Sequence, residues 1–157
     1  MTPETPAKND DTLNRPRLIY LAAAGLFIAD RVLKWLVLAS GRPSAGGLAE
    51  FALFRNRGIA FSIPLDDRIF WPAAAAALVL LLAAFVTLLR RGPRRLAPVI
   101  FLMILGACSN LFDRLVYDAT IDYFIFFGVS AVNIADAMII GGAAAAYFRL
   151  RSETKPA

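Results

Sequence analysis

Apolar residues along the chain fall into four long blocks separated by polar, arginine-rich or mixed stretches. Residues 18–39 form a 22-residue block interrupted by Asp30, Arg31 and Lys34, and residues 69–89 form a 21-residue block with no charge. Residues 96–112 give 17 uncharged positions, and residues 123–148 give 26 with Asp136 as their only charge. At about 1.5 Å per residue, a helix over 69–89 is about 30 Å long, enough to cross a hydrocarbon core. The pattern therefore predicts four spanning helices. Residues 1–17 are polar, carry Pro3, Pro6 and Pro16 and show no apolar period, which predicts a disordered tail. Residues 149–157 form a second tail, leaving 18–148 as the membrane domain. Residues 48–63 mix Phe51, Leu53, Phe54, Ile59 and Phe61 with Arg55, Asn56 and Arg57. That mixture predicts a short strand or amphipathic element at the interface, or else a hydrophobic loop on the helix ends. The alanine run 73–77 predicts close helix packing. The fold class is thus an all-α membrane protein of four transmembrane helices, with a small extracytoplasmic β or amphipathic element between the first two.

Composition supports the non-aqueous reading. The 157 residues are 59% hydrophobic and 18% charged, against about 45–50% and about 25% in an ordinary globular domain. The net charge of +5 raises the possibility of nucleic acid, but the positions of the basic residues point to membrane orientation. Lys8, Arg15 and Arg17 precede the first block; Arg90, Arg91, Arg94 and Arg95 link the second and third; Arg149, Arg151 and Lys155 follow the fourth. The positive-inside rule makes these three regions cytoplasmic, and an even number of spans puts both termini on that side. A cleavable signal peptide competes for the first block because residues 39–41 are small, but Asp30, Arg31 and Lys34 oppose cleavage. The absence of histidine removes imidazole-based catalysis and zinc binding, and a single cysteine removes internal disulfides and thiolate clusters.

Ionisable residues inside a span are costly and mark function by default. With this topology, Asp30 and Lys34 lie in the outer half of the first helix, and Asn110, Asp113 and Arg114 lie at the outer end of the third. Asn133 and Asp136 lie near the outer start of the fourth, Asp122 just before it, and Asn56 in the first outward loop. Polar groups from five stretches therefore gather at one depth. Asp30 and Lys34, four apart, predict a helical ion pair that neutralises itself and fixes the first helix. Asp113, beside Arg114, predicts a cap or salt bridge.

Asp122 and Asp136 are the acids without an obvious local cation. Two carboxylates in a partly desolvated site cannot both ionise easily, so one keeps a proton and the other is a base. That is the arrangement of an aspartic protease. The rival is a Ser-Lys dyad of Lys34 with Ser62 or Ser109, against which Asp30 would keep Lys34 charged. A non-enzymatic protein whose acidic pair conducts protons or binds a cation is a further reading; it requires ionisable groups at successive depths.

The chain resembles the lipoprotein signal peptidase (signal peptidase II) family over most of residues 20–145. DRVLK carries Asp30 and Lys34; RNRGIAFS at 55–62 carries Asn56, Gly58 and Phe61; GACSNLFDR at 106–114 carries Asn110, Asp113 and Arg114. IDYF supplies Asp122, and VNIADAMIIGG supplies Asn133 and Asp136. The resemblance implies a bacterial inner-membrane aspartic endopeptidase that cleaves prolipoproteins before their diacylglyceryl-modified cysteine, with its site near the outer face. It implies Asp122 and Asp136 as catalytic residues and Asn56, Asn110, Arg114 and Asn133 as ligands of the substrate backbone. Asp30, Lys34, Gly58 and Asp113 become supports, and the aromatic loop 51–61 becomes a clamp over the substrate. It implies a monomer in the phospholipid bilayer, with no metal, organic cofactor or nucleic acid. The chain departs from the family pattern at Ile59, Leu105, Ser109 and Val132, none a catalytic position. A paralogue of altered specificity, or an inactive one that binds lipidated peptides, is the second reading.

Overall fold

Each apolar block contributes a helix to the computed structural model, which describes residues 11–59, 63–127 and 130–153. The order is α1 (Asp11–Ser40), β1 (Ala49–Asn56), α2 (Asp67–Arg90), α3 (Ala97–Tyr117), β2 (Thr120–Phe126), β3 (Ser130–Val132) and α4 (Ile134–Glu153). A 3-10 turn over Arg94–Leu96 leads into α3. Helix α1 takes in residues 11–17, which their polar composition assigns to a tail, because extending a helix with a long apolar continuation costs far less than starting one. Helix α4 likewise runs through Arg149 and Arg151. Residues 1–10 and 154–157 of the expected tails lie outside the described residues.

The larger correction concerns residues 123–148. Its first part is not helical: Thr120–Phe126 is a strand, Ser130–Val132 is another, and the helix begins only at Ile134. Every residue of β2 except Asp122 is β-branched or aromatic, a composition that favours the extended chain. An apolar run alone does not separate a buried strand from a helix. Asn133 then starts α4 by a reciprocal capping box: its Oδ1 accepts the Asp136 N–H at 2.8 Å, while the Asp136 carboxylate accepts the Asn133 N–H at 3.2 Å.

The expected strand in residues 48–63 is β1, and it pairs with β2 rather than standing alone. The sheet is antiparallel in the order β1-β2-β3, with Phe54 opposite Asp122 and Phe124 opposite Val132. A bulge between Phe51 and Phe54 bends β1. The sheet therefore joins the α1–α2 connection to the α3–α4 connection, over a cluster of Val37, Ile121 and Tyr123.

Helix α3 packs against α1, α2 and α4. Its tightest approach is to α4, where a Cβ on Gly106 would lie 2.6 Å from the Ala135 carbonyl oxygen. The close packing expected of the alanine run in α2 is not there. None of the residues of α2 is buried, and Ala74 and Ala77 face a cavity instead. Polarity is distributed inside out. Asp30, Lys34, Ser109, Asp113, Asp122 and Asn133 are buried, while Leu21, Leu80 and Ile140 are each about 70% exposed. Such a distribution is unfavourable in water and suits a hydrocarbon surround. By length and composition, α2 and the stretch Arg94–Tyr117 are each sufficient to cross a membrane.

Candidate active site

Four charges brought together by α1 and α3 form the foundation. Lys34 lies 3.0 Å from Asp30 and 2.7 Å from Asp113, all three side chains fully buried. Arg31 reaches Asp113 at 2.6 Å and stacks on the Phe112 ring. Two anions and two cations leave the cluster neutral, and the remaining lone pairs are filled. Asp30 also accepts from Ser109 Oγ (2.6 Å), Tyr123 OH (2.8 Å) and the Ala135 N–H (3.2 Å). Asp113 accepts the Ile121 N–H at 3.2 Å. Among the described residues, no buried side-chain polar atom lacks a partner. The cluster thus grips β2 one residue before Asp122 and α4 one residue before Asp136. Asp30 and Lys34 form the expected ion pair along α1, and Asp113 joins it from α3 through Lys34 and Arg31.

Above this foundation stand Asp122 on β2 and Asp136 in the first turn of α4. Both oxygens of each carboxylate accept an N–H. Asp122 takes Asn133 Nδ2 at 2.6 Å and Asn56 Nδ2 at 3.1 Å. Asp136 takes Asn110 Nδ2 at 2.7 Å and the Asn133 backbone. The three amides cannot turn the other way. Asn110 Oδ1 receives Lys34 Nζ at 2.8 Å, and an ammonium has no acceptor to offer. Asn56 Oδ1 receives the Gly58 N–H and Asn133 Oδ1 the Asp136 N–H. Burial, and after it the charge of Asp136, pushes Asp122 up to about 7, against the donors of Asn56 and Asn133 that pull it down.

The two carboxylates open onto one cavity of about 420 Å³. Asn56, Asn110, Arg114 and Thr120 share its polar wall, while Leu78 and Leu81 of α2 and Ile139 and Ile140 of α4 make it apolar elsewhere. Asn133 is 2% exposed and sits behind the carboxylates. Arg114 donates to Thr120 Oγ1 at 3.1 Å and to the Gly58 carbonyl, and its guanidinium lies 4.0 Å from the Phe70 ring centroid. Gly58 is itself buried. Phe51 is partly exposed on the sheet beside Tyr123 and Phe124, whereas Phe61, the other end of the expected clamp, lies outside the described residues.

Ser109 cannot serve the Ser-Lys reading from this position. It is fully buried, donates its proton to Asp30 and is absent from the cavity wall. Ser62 lies outside the described residues. Among the departures from the family pattern, Ile59 and Val132 line the cavity, and Ser109 belongs to the charged foundation. Sequence reasoning gave no role to Arg31, Phe70, Thr120 or Tyr123. Of these, only Arg31 carried a signal, as a cation one residue from Asp30 inside an apolar block. Among the described residues, no group of three or more Cys, Asp or Glu is placed to hold a metal ion.

Comparison with known proteins bears on this geometry. A family model described as Signal peptidase (SPase) II matches residues 22–151. The lipoprotein signal peptidase of Shewanella woodyi is 37% identical over 134 residues, 76% of this chain and 74% of that protein. That of Sinorhizobium fredii is 33% identical over 88% of this chain and 89% of its own length. A solved structure described as a bacterial membrane enzyme, determined by the in meso method at 2.3 Å resolution, superposes with a TM-score of 0.66. It is 21% identical and covers 92% of this chain and 93% of its own.

Proposed function

The chain belongs to the signal peptidase II family, and from that premise we propose that it is a membrane aspartic endopeptidase. It removes signal peptides from bacterial prolipoproteins, cutting before the diacylglyceryl-modified cysteine. The observation that carries this reading is the pair Asp122 and Asp136, drawn from two different elements onto one wall of an apolar cavity. Asp136 occupies the third position of α4, where the helix dipole favours a carboxylate, and it acts as the base that takes a proton from water. Asp122, protonated, donates to the scissile carbonyl oxygen as that water attacks the carbonyl carbon. As the C–N bond breaks, Asp136 passes the proton it took to the leaving amine and a hydroxyl of the tetrahedral intermediate returns one to Asp122. Asn56, Asn110 and Arg114 face the cavity as donors for the substrate backbone. Asn133 acts from behind by holding both carboxylates. The ion-conducting reading gains no support, since α2 carries no charge between Arg68 and Arg90.

The four helices are read as four spans, with both termini cytoplasmic and the sheet and site near the outer face. This topology is supported by the apolar lengths of α2 and α3, the exposed apolar surface and the arginines that flank the inner ends.

The reading is tested with the full chain in detergent and a diacylglyceryl-modified prolipoprotein. Cleavage before the lipidated cysteine is expected; no cleavage of several such substrates would favour the inactive, peptide-binding paralogue. A pH profile tests the acid. Because Asp122 must hold its proton, activity is expected to fall as pH rises through about 7. The Asn56 amide stabilises the ionised form, so Asn56→Ala should move this alkaline limb to higher pH. A limb unmoved in the variant, or a profile flat to well above 7, would remove the assignment of Asp122 as the acid. The same raised value means that the folded state binds the Asp122 proton more tightly than the unfolded chain. The contribution of this group to stability therefore declines as pH rises from the ordinary carboxylate range to about 7.

A further inference from the structure

Tyr123 is fully buried on β2, the element that carries Asp122, and its hydroxyl reaches the start of α4, the element that carries Asp136. It follows Asp122 directly on β2. Its ring is oriented by Phe51 and Phe124, with centroids 5.7 and 5.0 Å away. Its hydroxyl donates to Asp30 Oδ1 at 2.8 Å and accepts the Ile134 N–H at 2.9 Å. Ile134 is the first residue of α4 and lies two before Asp136. A single oxygen thus ties α1, β2 and the start of α4. Phenylalanine would fill the same space and make the same ring contacts, so the packing does not require a hydroxyl. What the hydroxyl adds is a partner for an otherwise free helix N–H and a second link, besides Asn133, from the Asp122 strand to the Asp136 helix.

We propose that Tyr123 is a positioning residue for the cleavage reaction, its hydroxyl bridging Asp30 and the Ile134 N–H so that β2 and α4 hold Asp122 and Asp136 at a fixed separation. This inference rests on the dyad reading given above. Acid–base catalysis by two side chains from different elements tolerates only small errors in their spacing, about 0.5 Å in a preorganised site. Three atoms on the far side of the carboxylates set that spacing without touching substrate. The bridge can be cut from either end. Tyr123→Phe removes the hydroxyl. Ile134→Pro removes the N–H at the first helical position, where proline is well tolerated. It also removes a side chain that packs on the Val37, Ile121 and Tyr123 cluster, so Ile134→Ala, which loses that side chain and keeps the N–H, is its reference.

The test measures kcat and KM of the full-length protein in detergent on a diacylglyceryl-modified prolipoprotein, with thermal unfolding followed on the same samples. Tyr123→Phe is expected to lower kcat about tenfold relative to the wild type, and Ile134→Pro about tenfold relative to Ile134→Ala, with KM within about twofold. The double variant should be no slower than the slower single, because both cut one link. A kcat for Tyr123→Phe near that of the wild type, or losses that multiply in the double variant, would overturn the proposal. So would a lower melting temperature with kcat unchanged, the signature of packing alone. If Tyr123→Phe does not fold, Ile134→Pro decides against Ile134→Ala: a kcat below that of the alanine variant supports the bridge, and a kcat equal to it overturns the bridge. Asp122→Asn runs alongside. If that variant is inactive while Tyr123→Phe matches the wild type, only this inference fails; if it cleaves normally, the dyad reading fails and this inference with it.

Discussion

Asp122→Asn is expected to lower kcat for prolipoprotein cleavage by about a thousandfold, the scale on which a positioned general acid contributes. The change is nearly isosteric, so the cavity keeps its shape and KM should hold. The variant does introduce a conflict behind the site. Both oxygens of Asp122 accept an N–H, from Asn133 and from Asn56, and an amide at 122 must turn its own NH2 toward one of those donors. A stability loss of about 1–3 kcal/mol is therefore expected beside the activity loss. Because a modest loss of stability cannot remove three orders of magnitude from a protein that still melts cooperatively, the two measurements together separate chemistry from folding. Asp136→Asn should behave alike, since its oxygens also both accept an N–H. Undiminished cleavage by either variant would remove the dyad.

The residues of the proposed dyad are legible before the fold is. Carboxylates and amides inside apolar blocks are costly, and their clustering at one depth follows from counting spans. The supports were legible only where a pair lies on one helix face, as Asp30 and Lys34 do. Nothing local in the sequence tells that Asp30 also accepts from Tyr123 and from Ala135, residues about a hundred positions away. The helix boundary at 133 was obscured for a different reason. Residues 123–132 are as apolar as a span, and the sequence between β2 and β3, residues 127–129, holds no charge to break the hydropathy block. The Asn-x-x-Asp spacing of residues 133–136 is the capping box that begins the helix. That single motif stops the strand, starts α4 and sets the Asp136 carboxylate on the cavity.

The largest loss of stability is expected from Lys34→Met. Methionine matches the length of the lysine stem and leaves no void, so what the variant removes is the charge. Asp30 and Asp113 are both fully buried, and Lys34 touches each of them, while Arg31 touches only Asp113. Without the ammonium the cluster carries one net negative charge away from water, at a cost of about 3–5 kcal/mol. Against a total stability of about 5–15 kcal/mol this is severe. Thermal unfolding in detergent should show a melting temperature lower by on the order of 10 °C. If neutrality is what matters, a second change should restore part of the loss. Lys34→Met with Asp30→Asn leaves Arg31 and Asp113 as a balanced pair. The asparagine can keep its oxygen toward Tyr123 and the Ala135 N–H and turn its NH2 to Ser109, whose hydroxyl is free to rotate and accept. The double variant is therefore expected to melt above Lys34→Met alone, although two groups have been altered. It should still cleave slowly, because Asn110 has lost the donor that fixes its amide toward Asp136. A single variant as stable as the wild type, or a double variant that melts below it, would mean that the buried charges do not hold the site together.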